Sequence, residues 1–281
     1  MTFLSRAPTF YLALLMAVWV IASSAHAAGP LKLIVPGFQY QDRPESRYFH
    51  KLLELALQKT QSPGESFVIE TYPAPMSGAR ATEEVKNNGA VNLLWNATSL
   101  ERERDLLPVR VSLLRELNNY RVLMIRKGEQ ARFDHIRTLD ALRTLHAGLG
   151  TQWPDNAIFA RNRLPVVNAL RHADLFRMLA VKRFDYFPRG LFEVWAELAL
   201  PENRGLTMER DVMLYYHMPF YYFVNRNNSA LAERIERGLR MAQADGSFDR
   251  LLLSVPNFRR GLEEQRSGRR RLILLDSPPP P

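Results

Sequence analysis

Gly148-Leu149-Gly150-Thr151-Gln152-Trp153-Pro154-Asp155-Asn156 is the stretch on which the fold turns. It follows a short apolar segment that reads as a strand and precedes one that reads as a helix. Its two glycines permit a tight turn with φ > 0. Thr151 or Asp155 can cap a helix, and Pro154 suits the turn or the entry to a first helical turn. Trp153 offers a large flat ring with one N–H. A strand that ends in such a turn and feeds a helix aims backbone N–H groups into the space above its end, which suits an anionic ligand. Alone, the stretch reads first as an ordinary strand-to-helix connection with Trp153 in a core. The elements around it shift the balance toward a ligand-facing role.

Upstream, Leu31–Val35 and Phe67–Tyr72 are strands by composition, and Ser46–Lys59 between them has helical apolar spacing. A short helix over Ser77–Lys86 and a strand over Val91–Trp95 follow. Alternation at this spacing predicts a parallel sheet with helices on its faces and a ligand crevice at the carboxyl ends of the strands. Those ends carry Tyr40, Tyr72 and Trp95, with Ser99 leading a charged helix that contains Arg102. After a strong strand at Tyr120–Arg126 the alternation resumes. Helices are predicted over 136–145, 156–162, 173–181 and 191–200, and strands over 147–149, 166–167 and 184–187. Two aromatic strands flank His217, and Asn227–Ser229 cap a helix that runs to Asp245-Gly246. Residues 263–281 read as a flexible, charged tail ending in prolines.

The 281 residues, 46% of them hydrophobic, suffice for a large core in one domain or two lobes. The net charge of +9 comes mostly from scattered arginines. No helix-turn-helix, zinc-finger or aromatic-basic RNA pattern accompanies them, so nucleic-acid binding is not expected. With no cysteine there is no disulfide, thiolate metal site or iron–sulfur cluster. No metal or cofactor is expected. Residues 1–27 read as a secretory signal peptide: Arg6, the apolar run Phe10–Ala22, and Ala25-His26-Ala27 as the cleavage site. An uncleaved anchor is the alternative. Cleavage after Ala27 predicts an exported, soluble chain, periplasmic in a Gram-negative host.

In this order the elements resemble the type II periplasmic solute-binding proteins, in particular the extracellular family 3 group that serves amino-acid uptake. Four places carry the resemblance, which spans roughly 31–255. Ser99-Leu100-Glu101-Arg102 is similar to the family's Thr-x-x-Arg turn. Val122–Gly128 is similar to its strand ending in a basic residue and glycine. Met178–Asp185 is similar to its pattern before a second-lobe strand, and Tyr222–Gly246 to its closing strand, turn and helix. The resemblance implies an α/β fold of two lobes with a ligand cleft between them. Lobe 1 would comprise 28–120 and 222–262, and lobe 2 would comprise 121–221 with the hinge crossings. It also implies that Arg102 grips a carboxylate and that Gly150-Thr151 forms the second-lobe turn. The chain departs from the family at Trp153-Pro154-Asp155, and at Arg189, where an ammonium-binding aspartate is common.

The leading functional expectation is capture of a small polar ligand, anionic or amino-acid-like, for an ABC-type uptake system. Tyr40, Trp95, Trp153 and Tyr186 would form aromatic walls. Arg102 and Arg189 would clamp an anion, Ser99 and Thr151 would line the site beside them, and Asp155 would orient a donor group of the ligand or pair with an arginine. The protein would be a monomer with an inner-membrane permease or sensor as partner. The alternative is a sensory or partner-binding module on the same fold. Catalysis is not expected. Glu193 and Glu197 share a helix face without histidine partners and read as a solvated pair, and no hydrolase, zinc-protease or P-loop motif is present. His217 reads as a packed histidine.

Overall fold

Short apolar strands and amphipathic helices alternate as the sequence predicts. The computed structural model describes residues 30–37 and 44–277, so the expected signal peptide and Tyr40 lie outside the described residues. The first half runs β1 (Leu31–Gly37), α1 (Pro44–Lys59), β2 (Phe67–Pro75), α2 (Gly78–Lys86), β3 (Leu93–Ala97), α3 (Leu100–Asp105) and β4 (Leu106–Pro108). Next come β5 (Tyr120–Arg126), α4 (Leu139–Leu142), β6 (Ala147–Gly150), α5 (Asp155–Arg161), β7 (Val166–Ala169), α6 (His172–Ala180), β8 (Phe187–Gly190) and α7 (Val194–Leu198). The chain ends with β9 (Leu206–Tyr215), β10 (Phe220–Asn225), α8 (Ser229–Ala244), α9 (Ser247–Ser254), α10 (Pro256–Arg266) and β11 (Arg271–Leu274).

These strands form two layers. In the first, β1 pairs in parallel with β2, and β10 lies antiparallel between β3 and β4. Asn92 sews the two pieces together: its N–H donates to the Ile34 carbonyl at 3.0 Å, and its Oδ1 accepts from the Ile34 N–H at 2.8 Å. In the second layer the order is β11-β9-β5-β8, with β6 and β7 parallel beside it. The Gly148 N–H donates to the Tyr186 carbonyl at 2.9 Å and joins β6 to the start of β8. The architecture is therefore a two-lobed α/β fold, crossed at the stretches before β5 and between β9 and β10.

The tail requires a correction. Rather than lying free, residues 263–281 contain the end of α10 and all of β11, which adds a parallel edge strand to β9 of the second layer. Two things hold it. Ile273 and Leu275 are buried against the second-layer core, and Asp276 is tied by Arg161 Nε at 2.6 Å and by Asn162. The chain thus passes between the layers a third time. On the way, α10 packs on second-lobe residues: a Cβ at Gly261 would stand 2.5 Å from the Leu191 carbonyl, and Arg260 lies 4.9 Å above the Trp195 ring.

Other departures have local causes. The helix expected over 136–145 is one turn, α4, started by a Thr138 cap. β9 begins well before the apolar run at 213, because Glu209 is satisfied inside: its carboxylate accepts from the Asp211 and Val212 amides and from Gln130. His217 is exposed rather than packed, and its backbone N–H donates to Ser277 Oγ.

Candidate functional site

An open cleft of about 1720 Å³ lies between the layers at the carboxyl ends of the strands. Its first-lobe wall is built by the end of β3 and the start of α3. Ser99 caps α3, its Oγ accepting from the Arg102 N–H at 3.1 Å, which leaves the hydroxyl proton free to donate. Capping also places the Arg102 side chain beside the strand end, where Nη1 donates to the Ala97 carbonyl and the guanidinium sits 5.8 Å from the Phe223 ring. Arg102 Nε is buried without a partner, and no carboxylate among the described residues pairs with this side chain. Burial lowers its pKa to about 10 against the opposing pull of the Glu101 charge, so at neutral pH it remains a desolvated cation with no carboxylate in ion-pair contact. Trp95 is largely buried, stacked on Phe49 at 5.5 Å, and lines the cleft.

The second-lobe wall is the stretch 150–154 with the start of α6. Here the glycines serve a different purpose from the one expected. Neither Gly148 nor Gly150 has a positive φ. A Cβ at Gly148 would fall 2.1 Å from the Phe184 ring, and one at Gly150 would fall 2.5 Å from the Trp153 ring. Glycine is needed so that two aromatic rings can close onto the strand. Trp153 is half-buried, lines the cleft, stacks on Phe187 at 5.9 Å and covers the Arg189 guanidinium at 5.1 Å. The turn is tied by Asn156, whose Nδ2 donates to the Gly150 carbonyl at 2.8 Å. Thr151 is exposed on the cleft, and neither it nor Asp155 caps α5.

The structure thus brings Trp95, Ser99, Arg102, Thr151 and Trp153 to one cleft. Three expected site residues stand elsewhere. Tyr186 is wholly buried in the second-lobe core with its hydroxyl unpartnered, because the bond from Gly148 holds its backbone inside the sheet. Asp155 is buried behind the wall, accepting from Tyr216 Oη and lying 3.5 Å from Arg121 Nε. Arg189 is buried beneath Trp153 and held in a fork by Glu197, Nε to Oε2 at 2.7 Å and Nη2 to Oε1 at 2.6 Å. Glu193 Oε2 lies 2.9 Å from the same Nη2. The wall is therefore not made positive by Arg189, and the two glutamates are its counterions rather than a solvated pair.

Electrostatics in this cluster are divided. Burial opposes the Glu197 charge, but Arg189, followed by His172, outweighs it and holds the carboxyl at about 2. Glu193 is pushed up, first by burial and then by Glu197, against the pull of Arg189. His172 is the group that the sequence reading missed. It opens α6, lines the cleft, and sets Nε2 3.2 Å from Glu197 Oε1. The rule that placed Trp95 also finds it: His172 lies three residues past the carboxyl end of β7.

No protein-family model and no curated protein sequence matches the chain. Solved structures do. An ancestral arginine-binding protein bound to glutamine is similar at a TM-score of 0.60 and 15% identity, over 80% of this chain and 98% of that one. A histidine kinase sensor domain with similarity to periplasmic binding proteins reaches 0.60 at 14% identity, over 81% and 96%. The substrate-binding protein of an amino-acid ABC transporter reaches 0.56 at 12% identity, over 80% and 99%. The fold is that of the two-lobed type II periplasmic binding proteins, with the cleft between the lobes.

Proposed function

We propose that this chain is a solute-binding protein that captures a small polar ligand carrying at least one anionic group. The observation that carries this reading is Arg102, a desolvated cation on the cleft with a buried, unpartnered Nε, which feels the charge of Glu101 but has no carboxylate in ion-pair contact among the described residues. Leaving such a group unsatisfied is costly, and a ligand carboxylate supplies what it lacks. Ser99 and Thr151 add hydroxyls, and Trp95 and Trp153 add apolar walls. We place the lobe boundaries at 28–120 with 222–262, and at 121–221, with β11 returning to the second lobe. Export by the segment 1–27 and delivery of ligand to an inner-membrane ABC-type permease complete the reading. No catalytic role is assigned.

The similarity to a histidine kinase sensor domain favours one second reading, in which the same cleft reports ligand to a membrane partner. Both readings require binding, which a thermal-shift screen of the purified chain against amino acids, dicarboxylates and other small anions measures. A ligand at 100 times its Kd stabilises the native state by about 2.7 kcal/mol, a shift of a few degrees for a chain of this size. A flat response across the screen would remove both.

A further inference from the structure

We propose that the ligand carries two anionic groups, one seated on Arg102 and the other on His172, and that binding the second draws a proton onto His172 against Glu197. This rests on the solute-binding reading and adds the ligand class and a proton to it.

Charge gathers behind the second-lobe wall. Arg121 and Arg189 share the buried cluster with Asp155, Glu193 and Glu197. Two guanidiniums face three carboxylates, so with all of them ionised one negative charge is uncompensated. His172 stands between that cluster and the cleft. Its Nε2 is enclosed and lies 3.2 Å from Glu197 Oε1 without a well-directed hydrogen bond to it, while the residue itself lines the cleft. That leaves Nδ1 as the nitrogen available to a ligand. A neutral imidazole that gives its N–H to Glu197 has only a lone pair at Nδ1 and repels an anion. The imidazolium donates on both sides, to Glu197 behind and to the ligand in front.

The surroundings support the same sign. Arg171, just before α6, and Arg177 on it both pair with Asp174, so none of these three is a ready partner for His172. From β8, Arg189 holds Glu197 but leaves its Oε1 within reach of the imidazole. Glu193 on the α7 side acts on the ring through its charge. Trp153, Phe176 and Phe187 enclose the ring, with Phe176 edge-on at 4.9 Å. Arg171, the residue before α6, gives no side-chain cap, and the partial positive charge at the start of the helix favours an anion in front of His172.

Isothermal titration calorimetry of the full chain tests this with succinate and L-glutamate against butyrate and L-glutamine, at about pH 6 and about pH 8, spanning the histidine range. Running each in two buffers of different protonation enthalpy counts protons. The second carboxylate should raise affinity about tenfold or more at the lower pH, an advantage that shrinks as pH rises, with up to about one proton taken up per ligand. His172→Gln should abolish both the proton uptake and the pH dependence and bring the affinity for two carboxylates down to that for one. Equal affinity for one and two carboxylates, or unchanged proton uptake in His172→Gln, would overturn the proposal and leave the solute-binding reading standing. Silence from all four ligands overturns the proposal. Only silence across the wider thermal screen as well would remove the binding reading.

Discussion

Arg102 and Arg189 show how far a residue type goes toward its role. In the sequence both are arginines near strand ends, and both suit an anion clamp. In the structure one faces the cleft with its Nε unpartnered, and the other is forked onto Glu197 beneath Trp153. What separates them is the fate of Glu193 and Glu197, which could not be read because their partner lies across a turn rather than on their own helix. Replacing Arg189 with Met strands two carboxylates and should cost about 3–5 kcal/mol in urea unfolding near neutral pH. Glu197, held at about 2 in the fold, contributes stability that is present above its unfolded value of about 4.3 and is lost as pH falls through about 2. In Arg189→Met the uncovered carboxyls take up protons more readily, so the deficit should narrow as the pH falls toward about 4. A deficit that stays constant with pH would mean that Arg189 acts by packing on Phe187 and Trp153.

Among the elements, the strands and helices up to α3, and β5 after them, were legible because each alternates apolar and turn signals at short spacing, whereas β4, only three residues long, was not read as a strand. Three later ones were not legible either. α4 shrinks to a turn, β9 absorbs a charged start by burying Glu209 under backbone amides, and β11 is a short apolar run set between an arginine cluster and terminal prolines that read as a tail. The tail forms structure because β9 offers an open edge and the second-lobe core accepts Ile273 and Leu275. Each fully buried aliphatic side chain contributes about 1.5–3 kcal/mol. A chain ending at Ser267 should therefore be less stable by about 3–6 kcal/mol, read as a lower urea midpoint. An unchanged midpoint would show that β11 rests on the second lobe without stabilising it.

Across the molecule, the division into two alternating halves was the most legible feature, since hydrophobic periodicity and strand-end chemistry agree on it. The cleft wall was half legible. Ser99, Arg102, Thr151 and Trp153 follow from the strand-end rule, whereas Tyr186 and Asp155 were assigned to the cleft although packing takes them behind it. The glycines of 148–150 were right for a wrong reason: they admit the rings of Phe184 and Trp153, which is how the second wall becomes aromatic. Everything in the functional account converges on one cation facing an open cleft. The most direct test takes the ligand with the largest thermal shift and titrates it by calorimetry into the wild-type chain and into Arg102→Ala, with circular dichroism confirming the fold of both. The account predicts a loss of at least about 30-fold in affinity, the minimum for removing one partner of a desolvated charge pair. Equal affinity in a folded Arg102→Ala protein would contradict it.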